Sequence, residues 1–297
     1  MSKTTADPTM PQDRMAVRDV FLALSVILIW GFNILIVRLG AQELPPLLMT
    51  GLRFILAAVL LVPFCPRPKG KMGWTLLLAI VLGVGHFGLL FASLRTLDAA
   101  TAAIVLQLSV PFSALLALAI YGERPGWIGW LGMALAIGGV AVVEGGPSQD
   151  SNLLGLLLIL ASTFSWALGN VIVKLMGPVN IMGLNGWVAL LAAPMALALS
   201  ARVETGQGEA RATAGWAGWG AVVYTAIMAT IVSYAIWYRL VARLSLNRVV
   251  PFMLLTPVIA VTGAGLLLGE ELTWATLAGG ALTILGVAAI QFRPRPR

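Results

Sequence analysis

Ten apolar runs divide the chain: residues 20–39, 47–65, 74–93, 100–121, 127–143, 153–174, 181–200, 216–238, 249–268 and 274–292. Each approaches the roughly 20 residues that a helix needs to cross about 30 Å of hydrocarbon. Within the runs the apolar positions are continuous rather than alternating, which predicts an all-α protein with ten membrane-spanning helices and not barrel strands. Short connections make consecutive helices antiparallel neighbours. Two connections are longer: 144–152 (EGGPSQDSN), and 201–215 (ARVETGQGEARATAG), which reads as the least constrained part of the chain.

The pattern is written twice. Shifting 97–143 by 147 residues lands on 244–290, where Gly122/Gly269, Glu123/Glu270, Trp127/Trp274, Gly132/Gly279 and Gly139/Gly286 coincide. The same shift pairs Phe87 with Tyr234 and Phe91 with Tyr238, and a shift of 136 pairs Trp30 with Trp166 and Arg38 with Lys174. A shared Gly-Glu turn and tryptophan at fixed places between apolar runs mark a duplication. It gives two five-helix halves, 18–143 and 153–292, with 144–152 as their linker. Five is odd, so the second half enters the membrane from the opposite side and the repeats are inverted. Inverted repeats about an in-plane pseudo-two-fold axis commonly build transporters, because exchanging the shapes of the halves turns an inward-open protein outward-open.

Composition agrees: 59% of the 297 residues are hydrophobic, only 10% are charged, and the mean hydropathy is +0.94. Such a chain cannot hide its apolar residues inside a water-soluble globule. A net charge of +7 would suit a nucleic-acid partner if the cations formed a patch, but they do not. With the amino terminus inside, Lys3, Arg14, Arg18, Arg67, Lys69, Lys71, Arg124, Lys174, Arg239, Arg243, Arg248 and the tail arginines share one side. Arg38, Arg95, Arg202 and Arg211 lie on the other. That bias is the positive-inside rule, and it places both termini in the cytoplasm. Residues 1–17 then read as a disordered cytoplasmic arm and 293–297 (RPRPR) as a basic cytoplasmic tail. A lone Cys65 excludes an internal disulfide and a cysteine-based metal site. Without a glycine-rich phosphate loop and its lysine, no nucleotide is expected, and no cofactor or metal either. The expected partners are a small-molecule substrate and membrane lipid, and the expected state is a monomer.

Polar side chains at spanning depth are the candidates for function, since they cost energy unless they face a partner or a watery cavity. In the first run Trp30 and Asn33 share a face, and in the sixth Ser162, Trp166 and Asn170 follow each other four apart. The two tryptophans are repeat mates near mid-span, so their helices are expected to face each other and line a central cavity; structural packing is the competing reading. His86, the only histidine, sits in the middle of the third run beside Gly83 and Gly85. It reads equally as a substrate contact or as a bridge between helices. In the fourth run Gln107 and Pro111, and in the ninth Met253 and Pro257, are four apart. Each proline frees the carbonyl four residues earlier, for a substrate ammonium or merely for a packing kink. Tyr234 is a further cavity candidate, whereas Trp237 and Tyr238 read as an interfacial belt. Arg53 is expected to snorkel outward or bond a backbone carbonyl, with a substrate contact as the competing reading. Glu123 and Glu270 are expected to cap the next helix or pair with an arginine. The glycines seven apart, Gly132/Gly139 and Gly279/Gly286, predict close helix packing or a dimer seam. No carboxylate falls inside a run, so a proton relay has no obvious member and transport reads as facilitative.

The segment around Trp30 (IWGFNILIVR), the pair Arg53-Phe54 after a short outer turn, the prolines of the fourth and ninth runs and the Gly-Glu turns before Trp127 and Trp274 carry a resemblance. Together with the duplicated five-helix plan they resemble the drug/metabolite transporter superfamily, in particular its EamA-type permeases. The resemblance covers nearly the whole chain. It implies export of amino acids, aromatic and other neutral ones, and of related metabolites by alternating access. The other readings are a multidrug or lipophilic-cation exporter and, from another class, a non-transporting membrane scaffold.

Overall fold

The structure, a computed structural model, describes residues 15–145, 153–244 and 246–292. Most of the expected arm and linker, and the basic tail, lie outside these residues. Among the described residues ten helices are long and apolar enough to cross a membrane: Val17–Glu43, Pro46–Phe64, Met72–Ser93, Ala99–Tyr121, Trp127–Glu144, Leu153–Met176, Ile181–Val203, Trp216–Val241, Pro251–Leu268 and Trp274–Gln291. They are called the first to tenth spans below. The side on which the first span begins is the near side, and the side on which it ends is the far side.

The main packing runs between the halves. The first span packs on the eighth and ninth, and the sixth on the third and fourth. The second packs on the seventh, the fourth on the ninth and the fifth on the tenth. Exchanging the two sets of five helices turns each of these contacts into another of them or into itself, as a two-fold axis requires. The fifth and tenth spans touch backbone to backbone. A β-carbon at Gly132 would stand 2.6 Å from the carbonyl oxygen of Gly286, and one at Gly139 2.5 Å from that of Gly279. The Thr283 hydroxyl donates across the seam to the Ala136 carbonyl at 3.4 Å. The seven-residue glycine spacing thus marks a helix seam within one chain. Gly122 and Gly269 end the fourth and ninth spans in the left-handed conformation, at φ 67° and 68°, where a side chain would be strained.

Several spans are not uniform α-helix. The third carries a π-helical stretch at Ala79–Gly88 and the eighth one at Ile227–Val232. Under the 147-residue shift the first becomes 226–235 and encloses the second. The fourth and ninth spans carry 3₁₀ turns at Leu106–Leu108 and Val250–Leu254, ahead of the buried Pro111 and Pro257. Connection 201–215 is not the loose segment expected. It folds as a short helix, Gln207–Thr213, with the Gln207 amide donating to the carbonyls of Ser200 and Glu204, both at 2.8 Å.

Carboxylates tie the far side. Glu270 accepts from the amides of Ala99 and Ala100, at 2.8 and 3.0 Å, and so caps the fourth span. Glu204 accepts from Leu47 and Leu48 at the start of the second span, at 2.8 and 3.1 Å. Glu43 accepts from Gly215 and Gly218 at the start of the eighth, at 2.9 and 2.6 Å. Each satisfies orphan helix N–H groups and sits at the positive end of a helix dipole. Each also joins one half to the other. Glu270 therefore caps not the next helix, as expected, but one 171 positions away. Its repeat mate Glu123, on the near side, pairs with Lys174 at 3.7 Å, both side chains being more than half exposed. The near side also holds a crevice of about 390 Å³ lined by Asn180, Ile181, Met182, Tyr238 and Val241.

Candidate functional site

Two side-chain clusters are equivalent under the exchange of the halves. In one, Trp30 of the first span meets the eighth. Its indole N–H donates to the Ser233 hydroxyl at 2.9 Å and to the Ala229 carbonyl at 3.3 Å. Its ring lies 5.7 Å from Tyr234 and 5.3 Å from Trp237, and Tyr234 stacks on Tyr238 at 5.7 Å. Trp237 and Tyr238, expected as an interfacial belt, thus pack in one aromatic cluster with Trp30 and Tyr234. Of this cluster, Tyr238 also lines the near-side crevice.

In the other cluster, Trp166 of the sixth span meets the third. Its ring lies 4.8 Å from His86 and 6.4 Å from Phe87. Ser162, one turn away, donates its hydroxyl to the His86 carbonyl at 2.9 Å. The imidazole Nδ1 lies 3.1 Å from the Ser162 carbonyl and 2.9 Å from its hydroxyl oxygen. A carbonyl only accepts, so this network assigns the proton to Nδ1 and leaves Nε2 of the neutral ring as an acceptor. The pairs Trp30–Ser233 and Trp166–His86 are repeat equivalents, because Ser233 is the 147-residue mate of His86. The helices of Trp30 and Trp166 were expected to face each other; instead each packs on the third helix of the opposite half. The reason is the crossed arrangement of the halves, which puts π-helical backbone opposite each tryptophan. Such π segments widen a helix locally and are frequent at functional sites.

The other candidates stand apart from these rings. Among the described residues, no hydrogen bond joins Asn33, Gln107, Asn170 or Met253 to either cluster. Asn33 Oδ1 and Gln107 Nε2 are buried without a hydrogen-bond partner, and Gln107 and Met253 lie in the 3₁₀ turns of the fourth and ninth spans. Asn170 is exposed on the sixth span.

Arg53 corrects a second expectation. It neither snorkels nor bonds a carbonyl: it is 2% exposed, and its Nη2 donates to the Thr230 hydroxyl at 3.0 Å. Its guanidinium carbon lies 4.9, 4.1 and 5.5 Å from the ring centres of Phe54, Phe87 and Phe91. Two of those rings come from the third span, a partnership that no local spacing announces. Thr230 in turn donates to the Thr225 carbonyl, at 2.8 Å and five residues back, which suits the π turn it occupies. Ser233 was the more findable omission, since it follows from extending the Phe87/Tyr234 match by one residue.

A search among known proteins fits this arrangement. The pattern of the EamA-like transporter family matches the chain twice, over residues 18–144 and 153–292. A protein of Salmonella typhimurium named a probable amino-acid metabolite efflux pump is 35% identical, covering 92% of this chain and 94% of that protein. One of the same name from Escherichia coli is 34% identical over the same shares. An uncharacterized inner membrane transporter of Escherichia coli is 28% identical over 83% of this chain and 81% of its own length. A solved crystal structure superposes with a TM-score of 0.60 at 18% identity, covering 93% of this chain and 96% of that one, which is a likeness of fold. With its two matched five-helix segments, its ten spans and these relatives, the chain belongs to the EamA-like transporter family, as a multi-pass membrane protein.

Proposed function

We propose that this protein exports amino acids, aromatic and other neutral ones, and related small metabolites across a bacterial inner membrane by facilitative alternating access. The observation that carries the reading is the pair of repeat-equivalent clusters, Trp30–Ser233–Tyr234 and Trp166–His86–Ser162, on helices that cross between the halves. Their faces offer apolar rings and neutral hydrogen-bonding groups, which suit a zwitterion with a ring or alkyl body. The names of the relatives from Salmonella and Escherichia point to the same substrate class. Asn33, Gln107, Asn170 and Met253 extend the proposed lining, with Pro111 and Pro257 shaping the backbone beside it. By the positive-inside bias the near side is the cytoplasm, so the carboxylate-tied far side is the outer gate and the crevice beside Tyr238 is the inner entrance. No bound metal, cofactor or reaction is part of the proposal.

Counterflow in proteoliposomes tests it. Labelled phenylalanine or threonine accumulates against an internal load of the same amino acid if the reading holds. A protein that moves solutes but exchanges no amino acid sinks the substrate class, and one that moves nothing favours a scaffold.

A further inference from the structure

We propose that Arg53 is the carboxylate-binding residue of the transport site, which makes the carboxylate the feature by which substrates are selected. The inference rests on the amino-acid reading and deepens it. Arg53 stands two turns inside the second span, 2% exposed. Arg38, Lys174 and Arg243 are ion-paired with Asp98, Glu123 and Asp19, whereas among the described residues no carboxylate pairs with Arg53. A guanidinium has five N–H donors. Here one reaches the Thr230 hydroxyl at 3.0 Å, while Nε–H is buried with no acceptor at all.

A cation at this depth is retained against a large desolvation cost, and an ionisable group inside a membrane marks a substrate or ion path by default. The faces of Phe54, Phe87 and Phe91 offset part of the cost by cation–π attraction, and they fix the plane of the guanidinium. They offer no acceptor. The unsatisfied Nε–H and the Nη2–H held by Thr230 form one edge of the fork that grips a carboxylate bidentately. Thr230 is the placeholder for one of the two carboxylate oxygens, and it sits on the π segment of the eighth span, where a local change of helix turn moves it aside. Phe87 links this edge to the other cluster: its ring lies 4.1 Å from the guanidinium and 4.6 Å from His86. A zwitterion with its carboxylate on Arg53 thus has the acceptor Nε2 of His86 one ring away, for its ammonium group. The same geometry repels lipophilic cations, which find a positive charge and no carboxylate.

The test is the ratio of counterflow rates for phenylalanine and phenylalaninamide, corrected for leak through protein-free liposomes. Wild type is expected to favour the acid at least tenfold, and Arg53→Gln to bring the ratio within about threefold of unity. If Arg53→Gln fails to give monodisperse protein, Arg53→Lys keeps the charge but not the fork, and its KM for phenylalanine is expected to rise at least tenfold. An Arg53→Gln protein that keeps the wild-type ratio overturns the assignment and leaves amino-acid export standing, as does an Arg53→Lys protein with unchanged KM. Wild type that moves the amide as fast as the acid overturns it too, whereas wild type that exchanges neither phenylalanine nor threonine overturns both readings.

Discussion

At the scale of single residues, His86 and Ser162 form a closed unit, in which each supplies a donor and an acceptor to the other. Removing the hydroxyl leaves a buried donor or acceptor unmet, which costs about 1–3 kcal/mol. Ser162→Ala keeps the carbonyl that accepts from Nδ1–H but takes away the hydroxyl that donates to the His86 carbonyl, and it is therefore expected to loosen this junction and to lower counterflow about tenfold while membrane insertion is unchanged, as read by expression and gel filtration. His86→Ala and Trp166→Ala are expected to lose more flux, again with normal insertion; normal transport in both would remove these side chains from the cavity. His86 was legible as a lone mid-span histidine, and Trp30 and Trp166 as repeat mates. What each touches was not, because the partners come from the other half: Trp30 finds Ser233 across 203 positions and His86 finds Ser162 across 76. Arg53 was misjudged because its surroundings come from other helices, Phe87 and Phe91 of the same half and Thr230 of the opposite one.

At the scale of helices, the ten spans were legible because hydrocarbon imposes a length and forbids exposed backbone. The π stretches at Ala79–Gly88 and Ile227–Val232 were not, since every residue in them also suits an ordinary helix. Their neighbours, the sixth and seventh spans for the first stretch and the first and second spans for the other, come from distant parts of the chain. The glycine seam was legible, as a spacing of seven on one face. Gly139→Leu or Gly286→Leu would drive a side chain into the facing backbone, whose atoms stand about 2.5 Å from where its β-carbon would sit. Over-filling a packed seam costs roughly 1–3 kcal/mol and more where backbone must move. Both variants are expected to melt several degrees below wild type in detergent, by intrinsic tryptophan fluorescence. A melting point unchanged in both would mean that the fifth and tenth spans separate freely.

At the scale of the molecule, the two sides differ where the repeats are alike. Glu270 caps the fourth span, while Glu123, its mate, holds Lys174 at the surface. A carboxylate at a helix N-terminus contributes about 0.3–1 kcal/mol. If the far side is the outer gate proposed above, Glu270→Gln should raise the outward-open population up to roughly fivefold, taking tenfold per 1.4 kcal/mol. In a Cys65→Ser background, a cysteine placed at Ala103 reports this as faster labelling by an impermeant maleimide added outside; an unchanged rate would show that Glu270 is no part of the gate. The pairing of the first span with the eighth, the sixth with the third, the second with the seventh and the fifth with the tenth has one more consequence. Neither group of five helices can fill its own interior, so each is the other's missing core. Two fragments, translated separately on either side of residues 146–152, should be degraded alone and reassemble into a working carrier when made in the same cell.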